Sequence, residues 1–422
     1  MARTTVPDRS ALARDWRVLC DDLGERRAGS AAERRAAEVM AGRFAELGLP
    51  RVFTEEFPCT SLARARRRVA AQIGGRWRAV DSAVLVGAPG TAGNQPIEGD
   101  VVWRELPENL PRLPRGALRG KFAVIFGPLP TRAEPHRRLV AAQPAAVIPV
   151  DERLPFAWAK RDGVYPAWVQ RHGRPPMATV PSTDAWQWRL AGVRPLRVQI
   201  DVSLRSAPSQ NVIAEIPGRE PRLPALVLAA RHDTQCGNPG ADDNASGVVA
   251  LLARAQLLAG RPHRRTIRFI PFGCEEPLAV GAAADVQAHR AEMPAHGLVV
   301  NFDSIASPLG HLELGRTAAA PLGTWAADRL ARAGSACALP ASSRPFSIRS
   351  LSMPAACRRD ASTAVISPAA AGSTPAGTTS RPTSRPEKCG VWCRRSRRSC
   401  RISRATARGP WRGPCHRRRR AR

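Results

Sequence analysis

Residues 225–233 read Ala-Leu-Val-Leu-Ala-Ala-Arg-His-Asp, an apolar run that ends in three ionisable side chains. Two later apolar runs end in the same way, one just before Glu275 and Glu276 and the other at Asp303. Short continuous apolar runs between helical segments are typical of parallel strands buried on both faces. This stretch therefore predicts an α/β sheet with acidic residues at its strand ends.

The second half of the chain alternates strand-like and helix-like segments from residue 211 onward. We expect four strands in one sheet, at about 211–216, 225–231, 266–272 and 297–302. We expect three helices packed on that sheet, at 246–258, 281–289 and 321–333. In such sheets the chemistry gathers at the carboxyl ends of the strands, which is where these acids lie.

The first half of the chain divides into two parts. Residues 1–55 show the apolar spacing of helices, and Ser30 with Glu33 predicts a capping box at a helix start. Residues 56–205 change to short β-like runs between Gly and Pro turns, which predicts a mostly β inserted domain. The catalytic domain would then span residues 206–335.

The remaining residues, 336–422, are rich in Ser, Thr, Pro and Arg and have little periodicity. Residues 341–422 alone hold twenty of the 65 Lys and Arg residues but two of the 35 acidic ones, so much of the formal net charge of +30 lies there. This composition cannot form an apolar core, and we expect a disordered tail. Because the tail has no recognisable nucleic-acid-binding module, we expect no nucleic-acid partner.

Cysteine usage and hydropathy bear on the compartment of the protein. The ten cysteines are either scattered singly or crowded in the tail, and no apolar run is long enough to cross a membrane. The first residues carry no recognisable export signal. We therefore expect reduced thiols, a cytoplasmic protein and no membrane partner.

The acidic side chains at the strand ends need a partner of opposite charge. Carboxylates beside apolar strands are costly unless a cation balances them. Asp242 and Asp243 alone would suit a turn and a helix cap, and Glu275 and Glu276 alone would suit an exposed strand end. Together, in order along an α/β pattern, they favour a divalent metal cluster formed from Asp233, Asp242, Asp243, Glu275, Glu276 and Asp303.

Three motifs follow one another here: Pro239-Gly-Ala-Asp-Asp-Asn-Ala-Ser-Gly-Val, then Ile267-Arg-Phe-Ile-Pro-Phe-Gly-Cys-Glu-Glu, then Asn301-Phe-Asp. In order and spacing they resemble the co-catalytic zinc aminopeptidases, a family that includes leucyl aminopeptidase, glutamate carboxypeptidase and glutaminyl cyclase. The resemblance implies a three-layer zinc-exopeptidase (phosphorylase/hydrolase-like) sheet and two zinc ions. It implies hydrolysis of terminal bonds in peptides or small aminoacyl substrates. Residues 118–150 similarly resemble the protease-associated domain inserted in many exopeptidases.

The resemblance also implies a role for each acidic residue. Asp242 would bridge the two zinc ions, Glu276 would bind one of them and Asp303 the other. Glu275 would be the general base. These roles suit the chemistry, since a metal lowers the pKa of its water towards about 7 and an unligated carboxylate nearby can then accept the proton.

The first departure from the family pattern lies at the end of the first strand, where the family has His-x-Asp. Here Arg231 precedes His232 and Asp233, and alternation along the strand places Arg231 at the ligand position. A guanidinium cannot ligate a metal, so we favour a salt bridge from Arg231 to Asp303 and Asp242. His232 would be a metal ligand if a bulge turned it towards the site.

The second departure is that the family's late His, in a Ser-Asp-His segment followed by Pro-Phe, has no counterpart after Gly334. Back-translating residues 348–359 one base earlier permits Pro-Phe-Pro-Phe-Asp-Ala-Gly-Gly-Val-Pro-Ala, which resembles the segment after that His. We therefore expect a reading-frame shift near residues 335–343, with a genuine disordered tail as the alternative. The chain as written could be inactive, and a non-catalytic peptide-binding protein is the alternative function.

Overall fold

The computed structural model describes the following residues: 7–84, 88–105, 113–127, 133–150, 172–277, 279–307, 311–316, 320–335, 337–338 and 362–369. Residues Met1–Ser373 belong to one structural unit. A second unit, Thr374–Arg422, lies wholly outside the described ranges.

The described α-helices, in chain order, are α1 (Arg9–Arg17), α2 (Ala31–Glu46), α3 (Ala133–Ala141), α4 (Ser182–Leu190), α5 (Gly247–Leu258), α6 (Val280–Ala288) and α7 (Ala320–Arg332). The first half of the chain contributes the strands β1 (Arg51–Ile73), β2 (Arg76–Val80), β3 (Ala83–Val84), β4 (Ile97–Glu105), β5 (Phe122–Phe126), β6 (Ala146–Val150), β7 (Ala178–Thr179) and β8 (Pro195–Ile216). The second half contributes β9 (Ala225–Arg231), β10 (Ile267–Phe272), β11 (His296–Phe302), β12 (His311–Arg316), β13 (Cys337–Ala338) and β14 (Ser362–Ala369).

The main sheet confirms the four strands predicted for the catalytic half. Its strands follow the order β13-β12-β14-β11-β9-β10-β8-β4-β5-β6, and β1 pairs with β8 beside this path. Strands β9, β10 and β11 run parallel to one another, whereas β10 pairs antiparallel with β8. The three parallel strands therefore present their carboxyl ends at one edge.

Both faces of this sheet are covered, as the continuous apolar strands predict. On one face Phe269 of β10 packs in a core with Phe44 of α2 and Leu251 of α5, and the Phe44 and Phe269 ring centroids lie 5.9 Å apart. On the other face the neighbouring Ile270 packs with Ala282 of α6. Alternate side chains of one strand thus enter two different cores, which makes the three-layer α/β architecture.

The inserted region is joined to the catalytic sheet by a long two-stranded ribbon. Strands β1 and β8 pair antiparallel from Arg51 opposite Glu215 to Ala71 opposite Leu196. The predicted domain boundaries at residues 55 and 205 fall inside these two strands. The identification of a protease-associated domain stays a prediction.

The start of α2 confirms the predicted capping box, with one difference. The Ser30 hydroxyl accepts a hydrogen bond from the Glu33 backbone N–H at 3.1 Å. The Glu33 carboxylate reaches back to the backbone N–H of Gly29 at 2.6 Å, one residue further than the motif requires. The helix stops before Gly48, whose φ of +75° suits the left-handed end of a helix.

Strand β14 lies within the region 336–422, for which disorder stays a prediction. Residues Ser362–Ala369 pair parallel with β11 and antiparallel with β12. The physical reason is the apolar, partly β-branched run Thr363–Ile366, which favours a strand. The other residues beyond 338 lie outside the described ranges. No helix of the described chain is long and apolar enough to cross a membrane.

Candidate active site

The candidate site lies at the carboxyl ends of the three parallel strands. The turn after β10 carries Glu275 and Glu276, and Asp303 directly follows β11. A π-helical turn, Ala241–Ser246, supplies Asp243. The predicted gathering of acidic residues at this edge is confirmed for these four side chains.

Arg231, the last residue of β9, lies at the centre of this acidic cluster. Its side chain is only 5 % exposed. Its Nε lies 3.0 Å from a Glu275 oxygen and 3.5 Å from an Asp303 oxygen, and its Nη1 donates to Glu276 at 2.7 Å. Its Nη2 forms an ion pair with Asp243. The favoured salt bridge is thus present to Asp303, whereas the predicted partner Asp242 is replaced by its neighbour.

Burial and charge pull in opposite directions at this cluster. Burial disfavours the charge on Arg231, but the surrounding carboxylates, Glu276 foremost, outweigh it and hold the pKa of Arg231 well above its usual value. Burial raises the pKa of Glu275 to about 8, although Arg231 opposes this rise. Burial likewise raises the pKa of Glu276. The cluster therefore carries more acid than one guanidinium can neutralise.

Asp242, predicted to bridge two zinc ions, makes different contacts. One of its carboxylate oxygens accepts a hydrogen bond from the Ala306 backbone N–H at 3.0 Å. Its backbone carbonyl accepts one from the Ser246 hydroxyl at 2.6 Å. In the described part of the chain, no three of the predicted site residues Asp242, Glu275, Glu276 and Asp303 have ligand atoms that all lie within 4.8 Å of one another. The expectation of a metal-cluster spacing is therefore wrong for this arrangement, because Arg231 lies among the acids.

His232, predicted as a metal ligand, is directed away from the acids. It is fully buried, and its Nδ1 lies 3.3 Å from the Pro271 carbonyl oxygen. Burial lowers the pKa of His232 to about 3, so the ring is neutral. The regular pairing of β9 with β10 continues to Arg231 opposite Phe272, and no bulge turns His232 towards the site. The assignment of His232 as a ligand is corrected on this ground.

Asp233 holds the turn that carries the two glutamates. It is fully buried, and one carboxylate oxygen accepts a hydrogen bond from the Glu276 backbone N–H at 2.9 Å. Burial raises the pKa of Asp233. Asp233 therefore positions the backbone of Glu276.

Glu33 is a second residue that holds this turn, and sequence analysis identified it only as a helix cap. One of its oxygens accepts hydrogen bonds from the Ser209 hydroxyl at 2.8 Å and from the Cys274 backbone N–H at 2.9 Å. Cys274 immediately precedes the two glutamates. The capping motif was the only signal in the sequence, and nothing there pointed to Cys274 as a partner of Glu33. The structure shows that the Glu33 side chain is buried, with 1 % exposed.

Replacing Glu33 by Ala is expected to lower the free energy of unfolding by about 2–4 kcal/mol, because two buried backbone N–H groups and a hydroxyl lose their acceptor. Denaturant unfolding followed by circular dichroism measures this change. Glu38→Ala on the same helix is the control, since the Glu38 side chain is 53 % exposed and its loss should cost little. Equal losses for the two variants would contradict the role given to Glu33.

The chemistry of the cluster can be compared with that of a divalent metal site. One buried carboxylate oxygen of Asp243 and one of Asp303 are ion-paired with Arg231 and have no hydrogen-bond partner. Four carboxylates around one guanidinium leave excess negative charge, which a divalent cation would balance. The acidic residues therefore fit a metal in charge and donor type, but the Arg231 side chain would have to move away from them for a metal to bind.

Known proteins resemble this chain in sequence and in fold. Residues 211–350 match peptidase family M28. The matched residues include Asp242, Glu275, Glu276 and Asp303.

Two curated relatives match the catalytic half. Aminopeptidase YwaD of Bacillus subtilis is 35 % identical over 96 residues, which cover 22 % of this chain and 21 % of the relative. An aminopeptidase of Pseudomonas aeruginosa is 33 % identical over 117 residues, covering 27 % of this chain and 21 % of the relative. The matched part thus spans about a fifth of the length of each of these relatives.

Two solved structures share the fold over most of the chain. The zinc aminopeptidase BSAP from Bacillus subtilis superposes with a TM-score of 0.67 at 19 % identity, covering 87 % of this chain and 86 % of that one. A peptidase M28 precursor from Shewanella amazonensis gives a TM-score of 0.69 at 19 % identity, with 84 % of each chain covered. These likenesses establish the zinc-aminopeptidase fold.

Proposed function

We propose that this protein is a zinc-dependent exopeptidase of the aminopeptidase type, which hydrolyses terminal bonds in peptides or small aminoacyl compounds. The observation that carries the proposal is the convergence of Glu275, Glu276 and Asp303 at the carboxyl edge of the parallel strands of a peptidase family M28 domain. The relatives and solved structures described above, all peptidases or aminopeptidases, support the same class.

Zinc, two ions in our proposal, would be held by Asp242, Glu276 and Asp303. The ions would act as Lewis acids on the scissile carbonyl and would make water a nucleophile at neutral pH. Glu275 is the proposed general base. Its carboxylate lies in the cluster beside Glu276, 3.0 Å from Arg231 Nε, in a position to accept a proton from water at this edge.

The proposal is tested by measuring hydrolysis of an aminoacyl anilide by the full chain, with zinc added and then with a chelator in excess. We expect hydrolysis that needs zinc and that stops when the chelator is added. Absence of hydrolysis together with tight binding of a peptide would favour the alternative, a non-catalytic peptide-binding protein. The contact of Arg231 with all four acids is the observation that favours that alternative.

We propose further that the chain beyond about residue 335 is read in a shifted frame. Its composition supports this, because the region is rich in Arg, Ser, Thr and Pro where the family has its late His. Strand β14 counts against it, since residues 362–369 join the main sheet. Resequencing the gene across codons 330–350 shows whether the reading frame is shifted.

We also propose that the protein is cytoplasmic. The cysteines of the described residues, Cys20, Cys59, Cys236, Cys274 and Cys337, are all free thiols, as expected in a reducing compartment. Cell fractionation followed by immunodetection tests the location directly.

A further inference from the structure

A second cluster of metal-binding side chains lies between strand β1 and helix α6, where no motif of the sequence analysis pointed. It consists of Glu55 of β1, Asp285 of α6 and His289, the residue that follows α6. One ligand atom from each residue lies within 4.8 Å of the other two. Asp285 and His289 are four residues apart, one helical turn, so both side chains share one face of the helix.

A buried carboxylate oxygen of Asp285 lacks a hydrogen-bond partner, which indicates that a ligand binds beside it. Asp285 is only 5 % exposed, and its Oδ1 has no hydrogen-bond partner. A buried carboxylate oxygen without a partner is costly. His289 Nε2 lies 2.9 Å from Glu55 Oε1, but an ion pair between these two residues alone would leave Asp285 Oδ1 unsatisfied.

The surroundings of His289 suit metal binding through its Nε2. The other ring nitrogen, Nδ1, lies 3.3 Å from Oε1 of Glu292, so Glu292 can hold the tautomer that presents Nε2 to a metal. Arg268 lies nearby, but it is paired with Glu215 at 2.7 Å and lies 3.7 Å from Glu292. Glu215 also pairs with Arg51 at 2.9 Å, so Glu215 and Glu292 together balance part of the positive charge of Arg268.

The charge and the donors define the kind of ion. When a metal displaces the proton from His289, the imidazole is neutral and the carboxylates of Glu55 and Asp285 carry a charge of −2, which matches one divalent cation. A tetrahedral zinc ion holds its ligand atoms about 3.3 Å apart, so small side-chain rotations would close this cluster on the ion. Three protein ligands leave one position for water.

We propose that Glu55, Asp285 and His289 form a metal site separate from the candidate active site, which takes a first-row divalent cation such as zinc. The bound ion joins the β1–β8 ribbon to the helix that follows the Glu275–Glu276 turn. Glu55 lies near the start of β1, opposite Asn211 of β8, so the site fastens this end of the ribbon to α6.

The test is a titration of the full, metal-free chain with Zn²⁺ alone, followed by calorimetry, with Co²⁺ absorption as a second readout of imidazole ligation. We expect His289→Ala and Asp285→Asn each to weaken one zinc-binding event at least about 100-fold, and Glu292→Gln to weaken it about 10- to 100-fold. Glu276→Gln is the matched control, because it changes the candidate active site and should leave this event intact.

Three outcomes would overturn the proposal. The first is the same zinc stoichiometry and affinity in wild type and in His289→Ala. The second is loss of the same binding event in Glu276→Gln, which would place the ion in the active site. The third is binding to wild type only at millimolar zinc. Glu55→Gln changes the partly exposed strand residue of the cluster (28 % exposed) and keeps the test valid if either helix variant fails to fold.

Discussion

Replacing Glu275 by Gln is expected to lower kcat for hydrolysis of an aminoacyl anilide by about 10²- to 10⁴-fold, in line with the loss of a positioned general base. Glutamine keeps the size of the side chain but cannot accept a proton from water. The zinc content of the protein should stay the same, because Glu275 is not a proposed ligand. Steady-state kinetics and metal analysis of the same preparation measure both quantities.

A matched control for this experiment is Glu38→Gln, an acid-to-amide change at a side chain that is 53 % exposed on α2. It should leave kcat within about twofold, since it lies away from the reacting atoms. Loss of zinc in Glu275→Gln would contradict the assignment, and it would show that the roles of Glu275 and Glu276 must be exchanged.

Replacing Arg231 by Met is expected to lower the free energy of unfolding by about 3–5 kcal/mol in metal-free buffer, because it removes the buried cation among four carboxylates. Methionine preserves most of the length of the side chain, so the loss reports charge more than volume. Adding zinc should restore much of the stability if the acids then bind the ion.

Arg264→Met is the control for this second variant. Arg264 also pairs with a carboxylate, Glu220 at 2.7 Å, but its side chain is 70 % exposed, so its removal should cost less than about 1 kcal/mol. Equal costs for the two variants in urea denaturation would show that Arg231 does not balance the acidic cluster.

The sheet and its acidic edge followed from the sequence because both depend on regular local patterns. Buried parallel strands are continuous apolar runs, and the residue after each run must lie at the carboxyl edge. The same alternation rule placed Arg231 at the ligand position. These expectations needed no knowledge of how distant parts of the chain meet.

The partner of Arg231 could not be predicted in the same way. Asp242 and Asp243 are adjacent in a turn whose backbone is irregular, with φ −107° and ψ 87° at Asp243. No periodicity decides which of two neighbouring side chains in such a turn faces a distant arginine. The turn is held by Asn244, whose side-chain N–H donates to the Phe302 carbonyl of β11 at 2.9 Å and whose side-chain oxygen accepts from the Gly247 N–H of α5 at 3.0 Å.

The long pairing of β1 with β8 could not be predicted from the sequence for a different reason. Strand β1 has 23 residues, far more than the usual length, and it contains Pro58, which reads as a strand breaker. In the ribbon Pro58 lies directly opposite Pro208 of β8, so the two missing N–H groups coincide at one position. A local pattern cannot reveal such long-range register.

The central claim is that the acidic residues at the carboxyl edge form a cation site that Arg231 now occupies. The most direct measurement is zinc affinity of Arg231→His, made in a His289→Ala background so that the proposed second site does not contribute. We predict binding at least about 100-fold tighter than in His289→Ala alone, because an imidazole ligand replaces a repelling guanidinium. Equal affinities in the two proteins would contradict the claim.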